Sequence, residues 1–370
     1  MHGPCDAPTA RPSGDIGRMR VTAGATGRPR AVSAGSPRSA RGEQSLRVLA
    51  VTNLWPTGGS HRGSFVRTGV EALRALGHTV DVEVVAQERG RRDYLLGIPR
   101  VRRRAVRGRY DIVHIHFGMT AVTARMAPGP KVVSLYGSDV NTRWKRLLTR
   151  IGWGGCAARI YVSRRLADRA GDRAAVVIPN GVDFERFKPG DRPAARLALG
   201  AGPDERVILF GGDPARHVKG WDVFEDVVLR LVARGHAARA LILTEPGQAV
   251  DGVVRKFDAA DLLLFTSRPG SEGSPTVVKE AIAMNLPVVA VDVGDVAELL
   301  RGVSDSAVIP FPSNPDPTIA REQLIAALAD AADSALTGGR RSGGREAHRW
   351  LDLPEIAGRL VVVYRDILEP

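Results

Sequence analysis

The stretch Ser267–Asp295, SRPGSEGSPTVVKEAIAMNLPVVAVDVGD, contains the pattern that decides the fold. It begins at the end of a short apolar run, DLLLFTS, which predicts a buried parallel strand. Ser274 suits the N-cap of a following helix, and Pro275 suits its first position. Open α/β sheets bind ligands at the carboxyl ends of their strands. We therefore expect a binding site in the loop between this strand and this helix.

Two carboxylates, Glu272 and Glu280, lie on either side of the predicted helix start. The first backbone N–H groups of the helix, from Thr276 onward, would be free at the positive end of the helix dipole, where a phosphate binds well. Carboxylates repel phosphates, but they accept hydrogen bonds from hydroxyl groups. The spacing fits a nucleotide sugar, with one carboxylate on its sugar and one on its ribose. A capped helix with two solvent-facing glutamates explains the spacing equally well.

The same alternation of strands and helices extends along the rest of the chain. Apolar β runs separated by helical segments such as SFVRTGVEALRAL predict an α/β protein with doubly wound parallel sheets. The turn-rich segment IPNGVDFERFKPG interrupts the alternation once, which indicates a linker between two Rossmann-like domains facing a cleft. The predicted β runs are LRVLAVTN, TVDVEVV, DIVHIHF, KVVSLYG, RIYVS and AVVIP before the linker, and RVILFGGD, RALILTE, DLLLFTS, PVVAVD and SAVIP after it.

Length and composition support two domains, because 370 residues exceed the size at which one hydrophobic core stops growing. We predict a disordered basic arm over 1–45, an N-terminal domain over 46–179, a hinge over 180–190 and a C-terminal domain over 191–350. Residues 351–370 are helical in period and are expected to pack back on the first domain.

Cellular location is suggested by two further features. The chain shows no signal peptide and no apolar run long enough to span a membrane. Its two cysteines, Cys5 and Cys156, cannot form a disulfide framework. We expect a cytoplasmic protein.

Positive charge is concentrated in one segment. The net charge is +13, and Arg89–Arg109 holds nine arginines against the single acid Asp93. Such a segment favours anionic lipid headgroups or polyanions. We expect peripheral contact with an anionic membrane and no nucleic acid, although a solvated arginine-rich surface is an equally good interpretation.

Several motifs, taken in order, resemble glycosyltransferase family 4. The E-x7-E motif of that family matches EGSPTVVKE, and its usual continuation matches AIAMNLPVVA. Further landmarks are VTNLWPTGGSHRGSFV, DIVHIHFG, LYGSD, VSRRLA, PNGVDFERFKP and GGDPARHVKG. The resemblance implies the GT-B fold and transfer of a sugar from a UDP- or GDP-sugar to an unidentified acceptor with retention of configuration. It implies no cofactor and no metal.

The resemblance also assigns roles to individual residues. Glu280 would bind the ribose and Glu272 the donor sugar. Arg216 and Lys219 would neutralise the leaving diphosphate, although by themselves they resemble ordinary surface charges. The nucleotide-sugar-binding set would further include Gly58, Gly59, Gly63, Gly273, Ser274, Pro275 and Thr276.

Three residues of the N-terminal half are candidates for the cleft or the acceptor site. His116 ends a predicted strand, and Tyr136 stands where many family members carry a histidine. Asp139 could take over a polar role there. His114 and His116 share one face of their strand, but a metal site would need a third ligand that the sequence does not place.

Two alternatives to a transferase stay open at this point. One is a GT-B phosphorylase or epimerase, which keeps the sugar chemistry. The other is a non-enzymatic polyanion-binding protein on a decayed GT-B scaffold, which the basic segment Arg89–Arg109 and Tyr136 would favour.

Overall fold

A computed structural model describes residues 44–56, 63–243 and 250–369 of the chain. The predicted basic arm over 1–45 therefore lies almost entirely outside the described residues. From Ser45 onward the chain forms one compact unit, and this unit contains two parallel β-sheets.

The first sheet has six parallel strands in the order β2-β1-β3-β4-β5-β6. Each strand falls on one of the apolar runs predicted from the sequence, because a strand buried on both faces needs a continuous apolar segment. The strands are β1 (Arg47–Thr52), β2 (Thr79–Val84), β3 (Ile112–His116), β4 (Lys131–Leu135), β5 (Ala158–Tyr161) and β6 (Val176–Val177). The helices are α1 (Ser64–Ala75), α2 (Asp93–Leu96), α3 (Ile98–Gly108), α4 (Gly118–Ala124), α5 (Ser138–Asn141), α6 (Arg143–Gly152) and α7 (Arg164–Ala170).

The second sheet has five parallel strands in the order β11-β10-β9-β7-β8. Its strands are β7 (Arg206–Phe210), β8 (Ala238–Ile242), β9 (Leu262–Phe265), β10 (Val288–Val291) and β11 (Ala307–Ile309). Its helices are α8 (Arg192–Ala198), α9 (Trp221–Ala233), α10 (Val250–Ala259), α11 (Thr276–Ala283), α12 (Val296–Leu299), α13 (Pro317–Gly338) and α14 (Gly344–Ala347), and the chain ends with α15 (Leu353–Leu368).

Helix α15 follows the second sheet in sequence but packs on the first. Its buried side chains, among them Ile356 and Tyr364, join the core formed by α1 and one face of the first sheet. Just before α15, the chain pairs with the segment that connects the sheets, since the Val182 N–H donates to the Leu351 carbonyl at 2.9 Å. The polypeptide therefore crosses between the two sheets twice at the same place.

Each sheet reverses its strand order once, and these reversals position the candidate site. In the first sheet the reversal lies between β1 and β3, and in the second it lies between β7 and β9. Crevices at such switch points, outside the carboxyl ends of the strands, are the usual ligand sites of doubly wound sheets.

Candidate active site

The predicted site residues lie at the carboxyl ends of strands that form the two reversals of strand order, or of a strand next to them in the sheet. In the first sheet, His116 ends β3 and the loop after β4 carries Tyr136. In the second, the loop after β7 carries Lys219 and the loop after β9 carries Glu272. The topology thus brings segments far apart in sequence to the carboxyl ends of two sheets.

The loop after β9 ends differently from the prediction. Helix α11 begins at Thr276, and Pro275, in an extended conformation, occupies the N-cap position. The expectation that Ser274 caps this helix is wrong. Its hydroxyl donates instead to Oδ2 of the buried Asp295 carboxylate at 2.6 Å. A hydrogen bond to a carboxylate is stronger than the one that the hydroxyl would accept from a backbone N–H as an N-cap. Within the described ranges no side chain caps α11, so its first N–H groups remain available to an anion.

Lys219 and Glu272 form an ion pair within this loop cluster. Nζ of Lys219 lies 2.7 Å from Oε1 of Glu272, and each side chain is 16% exposed. The Ser267 hydroxyl donates to the same carboxylate oxygen at 3.0 Å. Gly220, at φ +68°, lets the loop that carries Lys219 pack against the end of β9, because a Cβ on residue 220 would lie 2.2 Å from the Thr266 carbonyl oxygen. The structure therefore fixes a cation and a carboxylate beside the start of α11.

Arg216, the other predicted cation, is placed differently from Lys219. It precedes a short 3₁₀ turn and its side chain is exposed. Within the described part of the chain its guanidinium forms no ion pair or hydrogen bond. It lies in the same loop as Lys219, but no described residue holds its side chain in one position.

Glu280 lies in the second turn of α11 and is partly buried. Burial raises the pKa of Glu280 to about 7, while the neighbouring Lys279 ammonium opposes the shift. Among the described residues, no side chain or amide donates a hydrogen bond to its carboxylate. A poorly solvated carboxyl group without a partner is a candidate for ligand binding.

Two charged residues that the sequence analysis did not single out lie beside Glu280. Lys279 is fully buried, and its ammonium donates to the Asn180 carbonyl at 2.9 Å. Burial lowers its pKa to about 8. Asp295 is also buried, its Oδ1 has no hydrogen-bond partner within the described residues, and burial raises its pKa to about 6. The only available signal for Lys279 was its position in a helix that is apolar on nearly all sides.

Gly273 lies where the loops of the two sheets touch. A Cβ on Gly273 would lie 1.9 Å from the Tyr136 carbonyl oxygen. From the other side, a Cβ on Gly137, at φ +147°, would lie 3.2 Å from the Gly273 nitrogen. Close to this contact, the Asn141 side-chain amide donates to the Gly270 carbonyl at 2.9 Å. Glycine at 273 therefore permits contact between the two halves, in addition to any approach of a ligand.

His116 and Tyr136 form part of a closed polar network. His116 Nδ1 lies 2.6 Å from Tyr136 Oη, and its ring stacks on His114 at 4.2 Å between centroids. His114 in turn lies 2.8 Å from Ser134 Oγ and 2.6 Å from Tyr364 Oη. Burial lowers the pKa of His114 to about 3 and that of His116 well below its usual value. Both imidazoles are neutral near pH 7.

Asp139 does not reach the cleft surface. Its buried carboxylate accepts hydrogen bonds from the backbone N–H groups of Gly137 at 2.8 Å and Tyr136 at 3.2 Å. Burial raises its pKa, and these amides partly offset that effect. Asp139 therefore holds the loop after β4 in place, and its predicted polar role in the cleft is not supported by its position.

The glycine-bearing loop after β1 is described only in part. Gly58 and Gly59 lie outside the described residues. Gly63 precedes α1 at φ +83°, where a Cβ would lie 2.7 Å from the Leu54 carbonyl group. In the described ranges, no cluster of three or more His, Cys, Asp or Glu side chains could hold a metal ion, and the absence of a metal requirement stays a prediction.

None of the helices in the described ranges has the length and apolar character needed to cross a bilayer.

Two family models match the chain. Glycosyltransferase Family 4 matches residues 63–186, and Glycosyl transferases group 1 matches residues 246–331. Together the two matches cover more than half of the chain, and they fall on the two halves that hold the two sheets.

Curated relatives match over part of their length. The teichuronic acid biosynthesis glycosyltransferase TuaC of Bacillus subtilis (strain 168) is 30% identical over 218 residues, covering 51% of this chain and 55% of that protein. A D-inositol 3-phosphate glycosyltransferase of Mycobacterium marinum is 29% identical over 260 residues, covering 54% of this chain and 53% of that protein. The chain thus spans about half the length of the curated relatives it matches.

Solved structures share the whole architecture at low sequence identity. The sucrose-phosphate synthase of Thermosynechococcus elongatus superimposes with a TM-score of 0.64 at 17% identity, covering 87% of this chain and 99% of that one. Anabaena Alr3699/HepE, solved in complex with UDP-glucose, gives a TM-score of 0.58 at 16% identity, covering 87% of this chain and 100% of that one. The order of the motifs, the two facing parallel sheets and these matches lead to one conclusion: the chain belongs to glycosyltransferase family 4 and has the GT-B fold.

Proposed function

We propose that the protein transfers a sugar from a nucleoside diphosphate sugar to an acceptor. The observation that carries this proposal is the Lys219–Glu272 pair beside the uncapped start of α11. A diphosphate at this helix end would meet free N–H groups and a nearby ammonium, so both fixed dipoles and a full charge favour it.

The two glutamates would fix the orientation of the bound nucleotide sugar. Glu272 lies in the loop before α11 and Glu280 lies more than one turn inside it, so they flank the proposed diphosphate on different sides. Glu272 would accept hydrogen bonds from the donor sugar, and Glu280 from the ribose. In this assignment the ribose hydroxyls supply the hydrogen-bond donors that Glu280 lacks among the described residues. This explains why a poorly solvated carboxyl group has no partner there.

Lys219 would act on the leaving group. Negative charge grows on the diphosphate as the bond to the sugar breaks, and a fixed ammonium stabilises that charge more in the transition state than in the ground state. Arg216 is exposed in the same loop and would add a second positive charge once the ligand orders its side chain.

The reaction would retain the configuration of the donor carbon. In the retaining course, the acceptor attacks from the face that the diphosphate leaves, and a diphosphate oxygen takes the acceptor's proton. His116 and Tyr136 support this route, because burial lowers the pKa of His116 well below its usual value and the imidazole is already hydrogen-bonded to the phenol, so the pair is a weak proton acceptor.

UDP-glucose in the structure of Anabaena Alr3699/HepE supports the choice of ligand class for a related fold. For this chain we propose UDP- or GDP-sugars as donors, with no metal ion required.

The nucleotide site is tested by thermal unfolding with and without UDP or GDP. We expect one of them to raise the Tm of the parent protein and Glu280→Ala to abolish the shift. Glu225→Ala, which removes an exposed glutamate on α9, is the matched control and should keep the full shift. Equal shifts in the parent protein and the Glu280→Ala variant would remove Glu280 from the nucleotide site.

The donor is identified by hydrolysis of a panel of UDP- and GDP-sugars without added acceptor. We expect slow release of the nucleoside diphosphate from one member of the panel, and Lys219→Ala should suppress it. Tight, salt-sensitive binding to an anionic polymer without any response to nucleotides would contradict the transferase and favour a polyanion-binding protein.

A further inference from the structure

Helix α6 directs its large apolar side chains away from the protein. Trp144, Leu147, Leu148 and Ile151 are 54%, 63%, 37% and 50% exposed. They occupy positions i, i+3, i+4 and i+7, which form one continuous stripe of an α-helix. Amphipathic helices of soluble proteins normally bury such a stripe. In α6 the stripe faces outward.

Packing on the inner side of α6 fixes this orientation. Thr149 and Gly152 are buried against α4. A Cβ on Gly152 would lie 2.8 Å from the Val122 nitrogen, and a Cβ on Gly118 would lie 2.1 Å from the Thr149 hydroxyl oxygen. The two helices are thus so close that only small residues fit between them. Rotating α6 to bury its leucines is sterically impossible without separating it from α4.

The same helix carries unbalanced positive charge. Its ten residues include four cations, Arg143, Lys145, Arg146 and Arg150, and no acid. In the structure as described, none of the four forms an ion pair. Lys145 instead lies 5.6 Å above the Trp144 ring. The cations therefore border the apolar stripe and are free to meet negative charge.

The segment Arg89–Arg109, in which the sequence analysis placed the membrane-contacting charge and which includes α3, is less suited to that task. Arg100 binds Asp93 and Glu83 at 2.8 and 2.7 Å, and Arg104 binds Glu83 at 2.8 Å. Both acids are buried. Two of the arginines of α3 are thus committed to internal ion pairs, whereas the cations of α6 have no acidic partner among the residues that the structure describes.

We propose that the exposed face of α6 docks the protein on an anionic lipid bilayer. A stripe of leucine, isoleucine and tryptophan bordered by Lys and Arg is the pattern of a helix lying in the membrane interface. Tryptophan is enriched at this depth, and each cation near an anionic surface contributes about fivefold to the affinity. The ten-residue helix is short, but the rest of the protein holds it in its helical state.

Two other occupants of this face fit less well. Residues 1–45 carry seven arginines against three acids, so this segment would place positive charge on a cationic helix. A second copy of the chain would bring two helices of the same sign together. An anionic bilayer complements both the apolar stripe and its charge.

The location of α6 connects the bilayer with the candidate active site. Asn141, which contacts the Gly270 carbonyl opposite the cleft, lies only two residues before α6. A protein docked through α6 would thus hold the carboxyl ends of its first sheet near the lipid surface. Resting on the proposed transferase function, we infer that the acceptor is carried by a lipid.

The docking face is tested by sedimentation with vesicles of phosphatidylcholine, with or without phosphatidylglycerol. We expect the parent protein to bind only the anionic vesicles and to be released by salt. Leu147→Ser combined with Ile151→Ser, and separately Arg143→Glu combined with Arg150→Glu, should each weaken binding at least tenfold. Because all four side chains are exposed, the fold and the nucleotide-induced rise in Tm should remain, so a failure of docking is distinguishable from a failure of the nucleotide site.

Two matched controls locate the effect. Leu229→Ser combined with Val232→Ser removes exposed apolar side chains from α9, and Arg102→Glu combined with Arg103→Glu reverses exposed charges on α3; both should bind as the parent does. Loss of binding in the α3 variant alone, or no binding by the parent, would overturn the proposal. A concentration-dependent dimer that the α6 variants abolish would overturn it too, in favour of a second copy.

Discussion

The carboxyl ends of the two sheets differ in how their polar groups are satisfied. Beside the first sheet, His114, His116 and Tyr364 are buried, Tyr136 is partly buried, and the four are hydrogen-bonded to one another or to Ser134. Beside the second sheet, Glu280 has no partner in the described structure, one oxygen of Asp295 is unsatisfied, and α11 begins without a cap. Both regions are rich in residues that could do chemistry, but the network beside the first sheet pairs its members with one another, whereas Glu280 and Asp295 are not paired in this way. Buried oxygens of Asn53, Thr120 and Asn141 are also unsatisfied beside the first sheet, outside that network.

This difference teaches which groups to assign to a ligand. An unsatisfied buried polar atom, such as Oδ1 of Asp295, costs about 1–3 kcal/mol, and a bound molecule that hydrogen-bonds to it would recover that free energy. A closed network already recovers it internally. We therefore assign the proposed nucleotide to the second sheet and expect the network beside the first sheet to act mainly on stability.

The largest effect should come from Lys219→Ala. Loss of a cation fixed beside the leaving diphosphate is expected to lower kcat by about 10²–10³. Arg216→Ala, which removes an exposed charge from the same loop, should lower it by only about tenfold. Steady-state release of nucleoside diphosphate measures both. If Arg216→Ala had the larger effect, the fixed pair would not be the centre of the second region.

The second-largest effect should be a loss of stability in Gly273→Ala. The new Cβ would collide with the Tyr136 carbonyl, and because that atom is backbone the two halves must separate slightly, at a cost of about 1–3 kcal/mol. Gly69→Ala is the matched control, since a Cβ there meets nothing within 4 Å, and it should be neutral or slightly stabilising. Denaturant unfolding compares the two. Equal stability in both variants would show that the observed contact between the halves does not persist in solution.

Tyr364→Phe tests the closed network. It removes the hydroxyl that bonds to buried His114 and should lower the free energy of unfolding by about 1–2 kcal/mol. The rise in Tm on adding nucleotide should not change, because the network lies beside the other sheet. A variant with normal stability but a reduced nucleotide response would break the distinction between the two regions.

The smallest effect concerns the pH dependence of stability, to which Glu280 and the two buried histidines contribute with opposite signs. The pKa of Glu280 is raised to about 7, so between its unfolded value and pH 7 the folded state binds more protons, and stability falls as pH rises. The lowered pKa values of His114 and His116 make stability rise with pH below about 6.5.

Glu280→Gln removes the contribution of Glu280 to the pH dependence of stability and leaves that of His114 and His116. We expect the free energy of unfolding to increase more steeply between about pH 5 and pH 7, by about 1 kcal/mol, because the side chain keeps some solvent contact and lies beside Lys279. Urea unfolding at several pH values measures this change. An unchanged profile would show that Glu280 titrates normally in the folded protein.

The strands were predictable because their signal is local. A strand buried on both faces is a continuous apolar run, as LLLF in β9 and VVAV in β10 show. The pairing of the site residues required more, since Lys219 and Glu272 are 53 residues apart in sequence. From the sequence, only the family resemblance assigned both residues to one site, and the structure shows that they form an ion pair.

The errors of the sequence analysis arose from long-range contacts. Ser274 was expected to cap α11, but its partner Asp295 lies 21 residues away. The segment Arg89–Arg109 was expected to contact anionic lipids, which stays a prediction, but two of its arginines, Arg100 and Arg104, bind the buried acids Asp93 and Glu83. In each case a local preference was overridden by a partner that the fold supplies, and no spacing rule identifies such partners.

The buried ammonium of Lys279 has a mechanical consequence. It joins the helix of the proposed nucleotide site to the main chain of Asn180, close to the point where the polypeptide crosses between the sheets for the first time and returns at Val182 and Leu351. Any rotation of one half against the other must keep this bond or break it inside a region with little water. We therefore expect rotations that leave Asn180 and α11 in register to be the least costly motions open to the protein.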